Sequence, residues 1–315
     1  RLTFPFFFIC PKDVEITNEG FSYQSDPTLQ PTAYISPQIF IKDSNGIKDI
    51  EIVGGGSNSW IGHVHRISSR FDDRYQVVAG VFSKNSKLSI KFGKNLGISK
   101  ERCYSNYKEM ALKEAKRVDC INVVSIMTPP GSHQIIAETF IDRDINIISD
   151  KPFAGNLDQA KKLYKKIKSN KKIKYALTHN YSAYPMVREA RNLVAKGKIG
   201  KIEYINMEYI QDWSDGKNIT QKNAKKILTW KLDKNIVGAS TVLNEIGSHT
   251  YQLATYISGL KGKSVFADIK QISNKIKMDD NAQVMINFNN GAKGMFWTSV
   301  TAKGGVYGLK IRVFG

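Results

Sequence analysis

From residue 48 onward, short apolar runs alternate with stretches in which apolar residues recur every three or four positions. Continuous or alternating apolar runs make strands, whereas a 3.6-residue period makes amphipathic helices. On that basis 48–53, 76–82, 120–126, 145–149 and 173–178 are predicted strands. The segments near 61–70, 87–96, 106–117, 132–142 and 156–169 are predicted helices. In the last of these, Leu157, Ala160, Leu163 and Ile167 form one stripe and lysines fill the wet face. Strand-then-helix repetition predicts a parallel sheet with helices on both faces, its ligand crevice at the carboxyl ends of the strands.

After about residue 180 the rhythm changes. A helix is predicted at 184–196, a long strand at 201–213 and a helix at 242–258. Strands then follow at 263–273, 281–289, 292–301 and 306–314, separated by turn signals such as Asn289-Asn290-Gly291 and Gly304-Gly305. Consecutive strands with short turns predict an antiparallel sheet. The chain therefore reads as α/β followed by α+β, two domains with a cleft between them. Residues 1–44, with Pro5, Pro11, Pro27, Pro31 and Pro37 and little periodicity, read as a loosely ordered leader.

The 315 residues suffice for two cores, and 41% hydrophobic with 24% charged residues excludes disordered and low-complexity architectures. The longest apolar candidate, Phe6 to Cys10, is far short of the roughly 18–20 residues that cross a bilayer. Three cysteines, Cys10, Cys103 and Cys120, form no Cys-x-x-Cys pair, which points to a reducing compartment such as the cytoplasm. The net charge of +19 raises nucleic acid as a partner. The lysines are instead scattered over helix-like segments with no aromatic-interleaved motif, so a solvated surface is expected and no nucleic-acid partner. The chain opens on Arg1, has its first methionine at Met110 and stops inside a predicted strand. A fragment with a truncated second domain is the expectation.

Chemistry concentrates at the ends of the predicted parallel strands. Gly54, Gly55 and Gly56 follow the first strand, and Gly62 follows the opening of the first helix. Glycines there let a pyrophosphate approach the backbone at a helix N-terminus. Gly54 and Gly56 fit the start of G-x-G-x-x-G, but position 59 is Ser and the next glycine is Gly62, a three-residue insertion. Ser57, Trp60 and Ile61 join these glycines as candidate cofactor contacts. The second strand ends at Ser83 and Lys84, with Lys87 beyond, and no acidic residue occurs between Arg74 and Lys100. An NAD site commonly has a carboxylate here for the ribose hydroxyls, whereas a hydroxyl and ammonium groups suit a 2′-phosphate. NAD or NADP is thus the expected cofactor, with a lean to NADP; simple solvation of the lysines is the alternative. Thr128-Pro129-Pro130-Gly131-Ser132-His133 follows the third strand and Asp150-Lys151-Pro152 the fourth. Both stand at carboxyl ends, where a lysine becomes a usable donor; an ordinary surface lysine is the alternative.

This combination resembles the Gfo/Idh/MocA (glucose–fructose oxidoreductase / inositol dehydrogenase) family of oxidoreductases. The resemblance continues through His179-Asn180-Tyr181 with Tyr184-Pro185, then 197–200, Thr229-Trp230-Lys231-Leu232-Asp233 and Glu245-Ile246-Gly247-Ser248-His249. It implies a fold class of α/β plus α+β: a Rossmann dinucleotide-binding domain over 45–178, then a domain over 179–315 with a mostly antiparallel open sheet. Asp150 replaces the family's usual Glu, and Glu245 stands where many members carry Asp. Gln252 replaces an Asp or Asn of some relatives, which puts that sugar contact in doubt.

The resemblance further implies hydride transfer between a nicotinamide and a hydroxyl-bearing carbon of a sugar or polyol. Lys151 and His249 are then the catalytic pair, with Glu245 orienting His249 or holding a neighbouring hydroxyl. Residues four apart on a helix share a face, which puts Glu245 and His249 in one pocket. Thr128, Pro129, Pro130, His133, Asp150 and Lys151 join the cofactor contacts, and Tyr181, Trp213, Trp230 and Lys231 are substrate candidates beside Lys151 and His249. For these aromatics, packing is the alternative; for His249 it is a satisfied core histidine. His63 and His65 read as packing or capping residues after the glycine turn, His133 as a cofactor contact or simply the start of a helix, and His179 as a cleft residue. No His, Cys and carboxylate spacing suggests a metal. Homo-oligomerisation through the second sheet is implied as well. An NAD-assisted glycoside hydrolase and a non-catalytic dinucleotide sensor are the two rival functions.

Overall fold

The computed structural model describes residues 2–5, 15–17, 20–22, 48–70, 75–121, 123–214, 231, 233–273, 278–305 and 308–315. Two compact units divide the chain: Thr32–Asn180 forms one, and Arg1–Pro31 with Tyr181–Gly315 forms the other. Three short strands come first, β1 (Leu2–Pro5), β2 (Glu15–Thr17) and β3 (Gly20–Ser22). β2 pairs with β3, and β1 joins the sheet of the later unit. The leader expected over 1–44 therefore supplies strands where it is described.

The first unit holds β4 (Lys48–Gly54), α1 (Trp60–Arg70), β5 (Tyr75–Val81), α2 (Ser86–Asn95), β6 (Cys103–Tyr104), α3 (Tyr107–Glu114) and β7 (Val123–Met127). It ends with α4 (His133–Ile141), β8 (Asn146–Asp150), α5 (Leu157–Ser169) and β9 (Tyr175–Thr178). The sheet order is β6-β5-β4-β7-β8-β9, parallel throughout. The order reverses between β4 and β7, so the crevice for a ligand opens at the carboxyl ends of those two strands. All five residues of β7 are buried, as befits a strand covered on both faces. Along β4, Ile50 and Ile52 serve clusters on one face, and Val53 packs on the other with Val124, Ile126 and Phe140. Asn85, Asn106 and Asn156 cap α2, α3 and α5 by accepting from Leu88, Lys108 and Gln159 amides.

The second unit contains α6 (Pro185–Ala195), β10 (Tyr204–Ile210), a π-helical turn over Leu243–Gly247 and α7 (Ser248–Ser258). β11 (Gly262–Lys270), β12 (Asn281–Phe288), β13 (Lys293–Ser299) and β14 (Gly308–Phe314) follow. Its sheet runs β1-β14-β10-β13-β12-β11, antiparallel except for the parallel pair β10–β13. Val187 and Ala190 of α6 and Leu253 and Ile257 of α7 pack against Ile205, Met207, Val284, Phe296 and Ile311 of the sheet. The helix expected as one piece over 242–258 is thus a π turn joined to an α-helix, and the strand expected over 201–213 is β10 alone.

One buried charge-bearing group belongs to the first core. Glu51 of β4 is fully buried, and neither of its carboxylate oxygens has a hydrogen-bond partner among the described residues. Nearby, Arg102 makes a bidentate pair with Glu114, which also accepts from the Tyr104 hydroxyl. Burial, reinforced by the Glu114 charge and partly offset by Arg102, raises the Glu51 pKa well above the carboxylate range. A carboxyl raised in the folded state contributes stability below its unfolded value and loses that contribution as pH climbs through its folded value. Glu51→Gln should therefore flatten the decline in urea midpoint as pH rises above the ordinary carboxylate range. Equal slopes in the two proteins would mean that the carboxyl is ionised in the fold.

Candidate active site

The turn between β4 and α1 is shaped by its glycines. Gly54 and Gly55 have φ of +96° and +64°, a left-handed region that side chains rarely adopt. A Cβ on Gly54 would meet the Met127 carbonyl at 2.7 Å. One on Gly62 would strike the Gly55 backbone, so the first turn of α1 lies directly against the loop. Gly56 similarly abuts the Phe82 carbonyl at the end of β5. Arg66, one turn further along α1, donates to the Gly55 carbonyl. Trp60 is exposed, whereas Ser83 is half-buried and Lys84 and Lys87 reach solvent beyond β5. The Ser83 hydroxyl accepts from the Asn85 amide.

The next two strand ends are tied together by a histidine. His133 is fully buried at the start of α4, with Nδ1 2.8 Å from the Pro152 carbonyl and Nε2 2.6 Å from the Thr128 carbonyl. The ring, at the first residue of α4, braces the Thr128-Pro129-Pro130 loop against the Lys151-Pro152 loop. Both ring nitrogens face protein carbonyls. Ser132 Oγ donates within this loop to Thr128 Oγ1 or the Pro129 carbonyl, both at 2.8 Å.

Asp150 ends β8, immediately before Lys151. Its Oδ1 accepts from Thr178 Oγ1 at 2.9 Å and lies 4.0 Å from His65 Nε2. His65 Nδ1 is 2.9 Å from Ser125 Oγ of β7. Burial alone would raise the Asp150 pKa, but His65, Lys151 and His133 more than offset it and hold the carboxyl at about 2. His179 follows β9, and burial together with the Lys151 charge lowers its imidazole to about 4, so it is neutral at physiological pH. Lys151 thus stands at this strand edge between the Asp150 carboxylate and the neutral His179 ring.

In the second unit, His249 is buried on the first turn of α7. Its ring lies 4.8 Å from that of Tyr181, edge to face, and 6.2 Å from that of Tyr209. The two tyrosine hydroxyls are 2.8 Å apart. Glu245 sits on the π turn and pairs with Lys231, whose ammonium stands 4.1 Å above the Trp213 ring. Lys231, expected to meet substrate, and Glu245, expected to orient His249 or hold a neighbouring hydroxyl, therefore hold each other. Trp230 lies outside the described residues.

Residues 49–179 match the family model described as an oxidoreductase family with an NAD-binding Rossmann fold, and residues 187–315 match the GFO/IDH/MocA C-terminal domain. The chain belongs to the Gfo/Idh/MocA oxidoreductases. An uncharacterized oxidoreductase of Bacillus subtilis (strain 168), YfiI, is 33% identical over 270 residues, 84% of this chain and 67% of the relative. Levoglucosan dehydrogenase of Pseudarthrobacter phenanthrenivorans is 28% identical over 58% of this chain and 50% of its own length. Among solved structures, an inositol dehydrogenase homolog from Azotobacter vinelandii, complexed with NAD+, superposes with a TM-score of 0.80. It is 29% identical, over 86% of this chain and 69% of that one. The chain thus spans between half and about two thirds of these proteins' lengths.

The glycine turn fits the NAD that the Gfo/Idh/MocA nucleotide domain implies. Side chains at Gly54, Gly56 and Gly62 would collide with neighbouring backbone, so these glycines keep the loop tight against α1, whose N-terminal amides suit a pyrophosphate. Sequence reasoning passed over Ser125 and Thr178 and ranked His65 with His63 as a packing residue. Helical spacing could have separated the two: His65 is buried beside Val64, and His63 is exposed. Thr178 was findable too, because adjacent parallel strands bring their last residues together. His133→Ala should lower the unfolding free energy by on the order of 2 kcal/mol, since two loop carbonyls lose the ring between them. Urea denaturation measures this, and a loss below about 0.5 kcal/mol would place the ring among ordinary surface sites.

Proposed function

We propose that this chain oxidises a hydroxyl-bearing carbon of a sugar or polyol with NAD or NADP, or runs the reverse reduction. The supporting observation is Lys151, a cation set directly after the anchored Asp150 on the carboxyl edge of the sheet that carries the glycine turn. A bound dinucleotide supplies the hydride acceptor or donor. The protein's part is to position the substrate oxygen and move its proton. Lys151 donates a hydrogen bond to that oxygen and stabilises the negative charge it develops. His249, in its tyrosine surround, takes the hydroxyl proton as general base, with Glu245 held by Lys231 on the preceding turn. Gly54, Gly56, Ser57, Trp60, Ile61 and Gly62 hold the pyrophosphate side, and Thr128, Pro129 and Pro130 line the strand edge nearer the reacting ring. Ser83, Lys84 and Lys87 favour a 2′-phosphate. Tyr181 and Lys231 are the candidates for substrate contact in the second unit, with Lys231 oriented by Glu245. The relatives' substrates make myo-inositol and levoglucosan sensible first probes. A cytoplasmic location accords with free Cys103 and Cys120.

Absorbance at 340 nm, followed with each polyol and with NAD or NADP, tests this reading. Lys151→Ala and His249→Ala should each lower kcat at least ~100-fold while NADH still binds. Near-normal turnover in both would remove the assignment. Bound cofactor with sugar cleavage and no net NADH would favour redox-assisted glycoside hydrolysis.

The second sheet supports a homo-oligomer. Every residue of β11 is exposed, and Phe266, Met285 and Met295 form an exposed cross-strand row. A second copy of the same face would cover this row and the open β11 edge. Phe266→Asp combined with Met295→Glu should reduce the mass measured by light scattering to that of one chain. An unchanged assembly, or a native protein that is already monomeric, would defeat this part.

A further inference from the structure

Three parallel strands and one helix contribute to a single polar row in the first unit. Ser125 comes from β7, Asp150 from β8, Thr178 from β9 and His65 from α1. His65 is 6% exposed, and its Nδ1 is engaged by the Ser125 hydroxyl at 2.9 Å. Its Nε2 is buried, has no hydrogen-bond partner among the described residues and stands 4.0 Å from Asp150 Oδ1. That separation exceeds a hydrogen bond but is short for an electrostatic interaction in a low-dielectric interior. The same oxygen accepts from Thr178 at 2.9 Å. One carboxylate oxygen is therefore met by side chains from two different elements, while the residue's own chain continues into Lys151.

We propose that His65 is a positioning residue: with Thr178 it clamps the Asp150 carboxylate, and the clamped carboxylate sets where the Lys151 ammonium stands. The inference rests on the reading of Lys151 as the group that meets the substrate oxygen. Its physical basis is that a largely buried carboxylate must be compensated or it will take up a proton. The charged and titratable groups facing Asp150 are His65 on α1, Lys151 in the loop after β8, His133 on α4 and His179 after β9. His133 is committed to two carbonyls, and His179 is neutral. His65 is left as the ring that can answer the carboxylate from beneath the sheet edge. Ser125 fixes that ring's orientation, as an outer partner does for a metal-binding histidine.

The test needs no substrate. In protein labelled with carbon-13 at aspartate carboxyls, Asp150 should stay ionised down to the acid limit of the fold, its signal assigned by loss in Asp150→Asn. In His65→Leu, the midpoint should rise toward the ordinary carboxylate range. Competitive acetylation read by mass spectrometry then follows Lys151 against the exposed lysines. His65→Leu should change the Lys151 rate by about threefold or more, and should have no further effect once combined with Asp150→Asn, because both act through one group. If His65→Leu does not fold, His65→Gln serves for both measurements. An unmoved Asp150 midpoint, or a labelling change that persists alongside Asp150→Asn, would overturn the proposal. Normal turnover in Lys151→Ala would instead overturn the underlying catalytic reading and leave the Asp150 titration as measured.

Discussion

The first unit turns on the contact between the backbone of Gly55 and that of Gly62, where any side chain would collide. Because the loop and the first turn of α1 touch there, the helix starts directly above the end of β4. That placement leaves the N-terminal amides of α1 at the carboxyl end of β4, a position that favours an anion. It also sets the rest of α1: Val64 enters the core, Arg66 reaches back to the Gly55 carbonyl, and His65 is delivered to Ser125 and Asp150. A cofactor cradle and the polar row under the neighbouring strand end thus depend on one close approach.

The polar groups at this edge serve different purposes, and burial is what separates them. His133 has protein carbonyls against both nitrogens, so it organises loops. Asp150 remains ionised although burial opposes it, because cationic and hydrogen-bonding neighbours outweigh the desolvation. His179 goes the other way, since burial and the Lys151 charge both disfavour its proton. The result is a local pattern in which the residue before Lys151 is an anion and the nearby His179 ring is neutral. Glu51, deeper in the same unit, has no hydrogen-bond partner on its oxygens among the described residues and only a partial offset from Arg102, so it holds its proton more tightly.

In the second unit the sheet supplies a floor and the helices α6 and α7 cover one side of it. The π turn before α7 changes the helical phase at Glu245, ahead of His249. Glu245 is paired to Lys231, and Lys231 rests on Trp213, so a carboxylate, an ammonium and an indole form one block. His249 keeps company with tyrosines instead. The opposite side of the sheet carries the row of Phe266, Met285 and Met295 in the open.

The order of strands and helices was legible from periodicity, because burial on one or two faces imposes a repeat that the chain displays along its length. The glycine turn and the Asp150-Lys151-Pro152 loop were legible for a related reason: backbone conformation and strand ends are local matters. Partnerships were not. Nothing in the spacing of Ser125, Asp150 and Thr178 with His65 says that three strands and a helix bring them together, nor that His133 would lie with both nitrogens against loop carbonyls. A side chain's protonation and purpose depend on what stands within a few ångströms, and those neighbours come from distant parts of the chain. Only the folded sheet, with β7, β8 and β9 side by side, decided them.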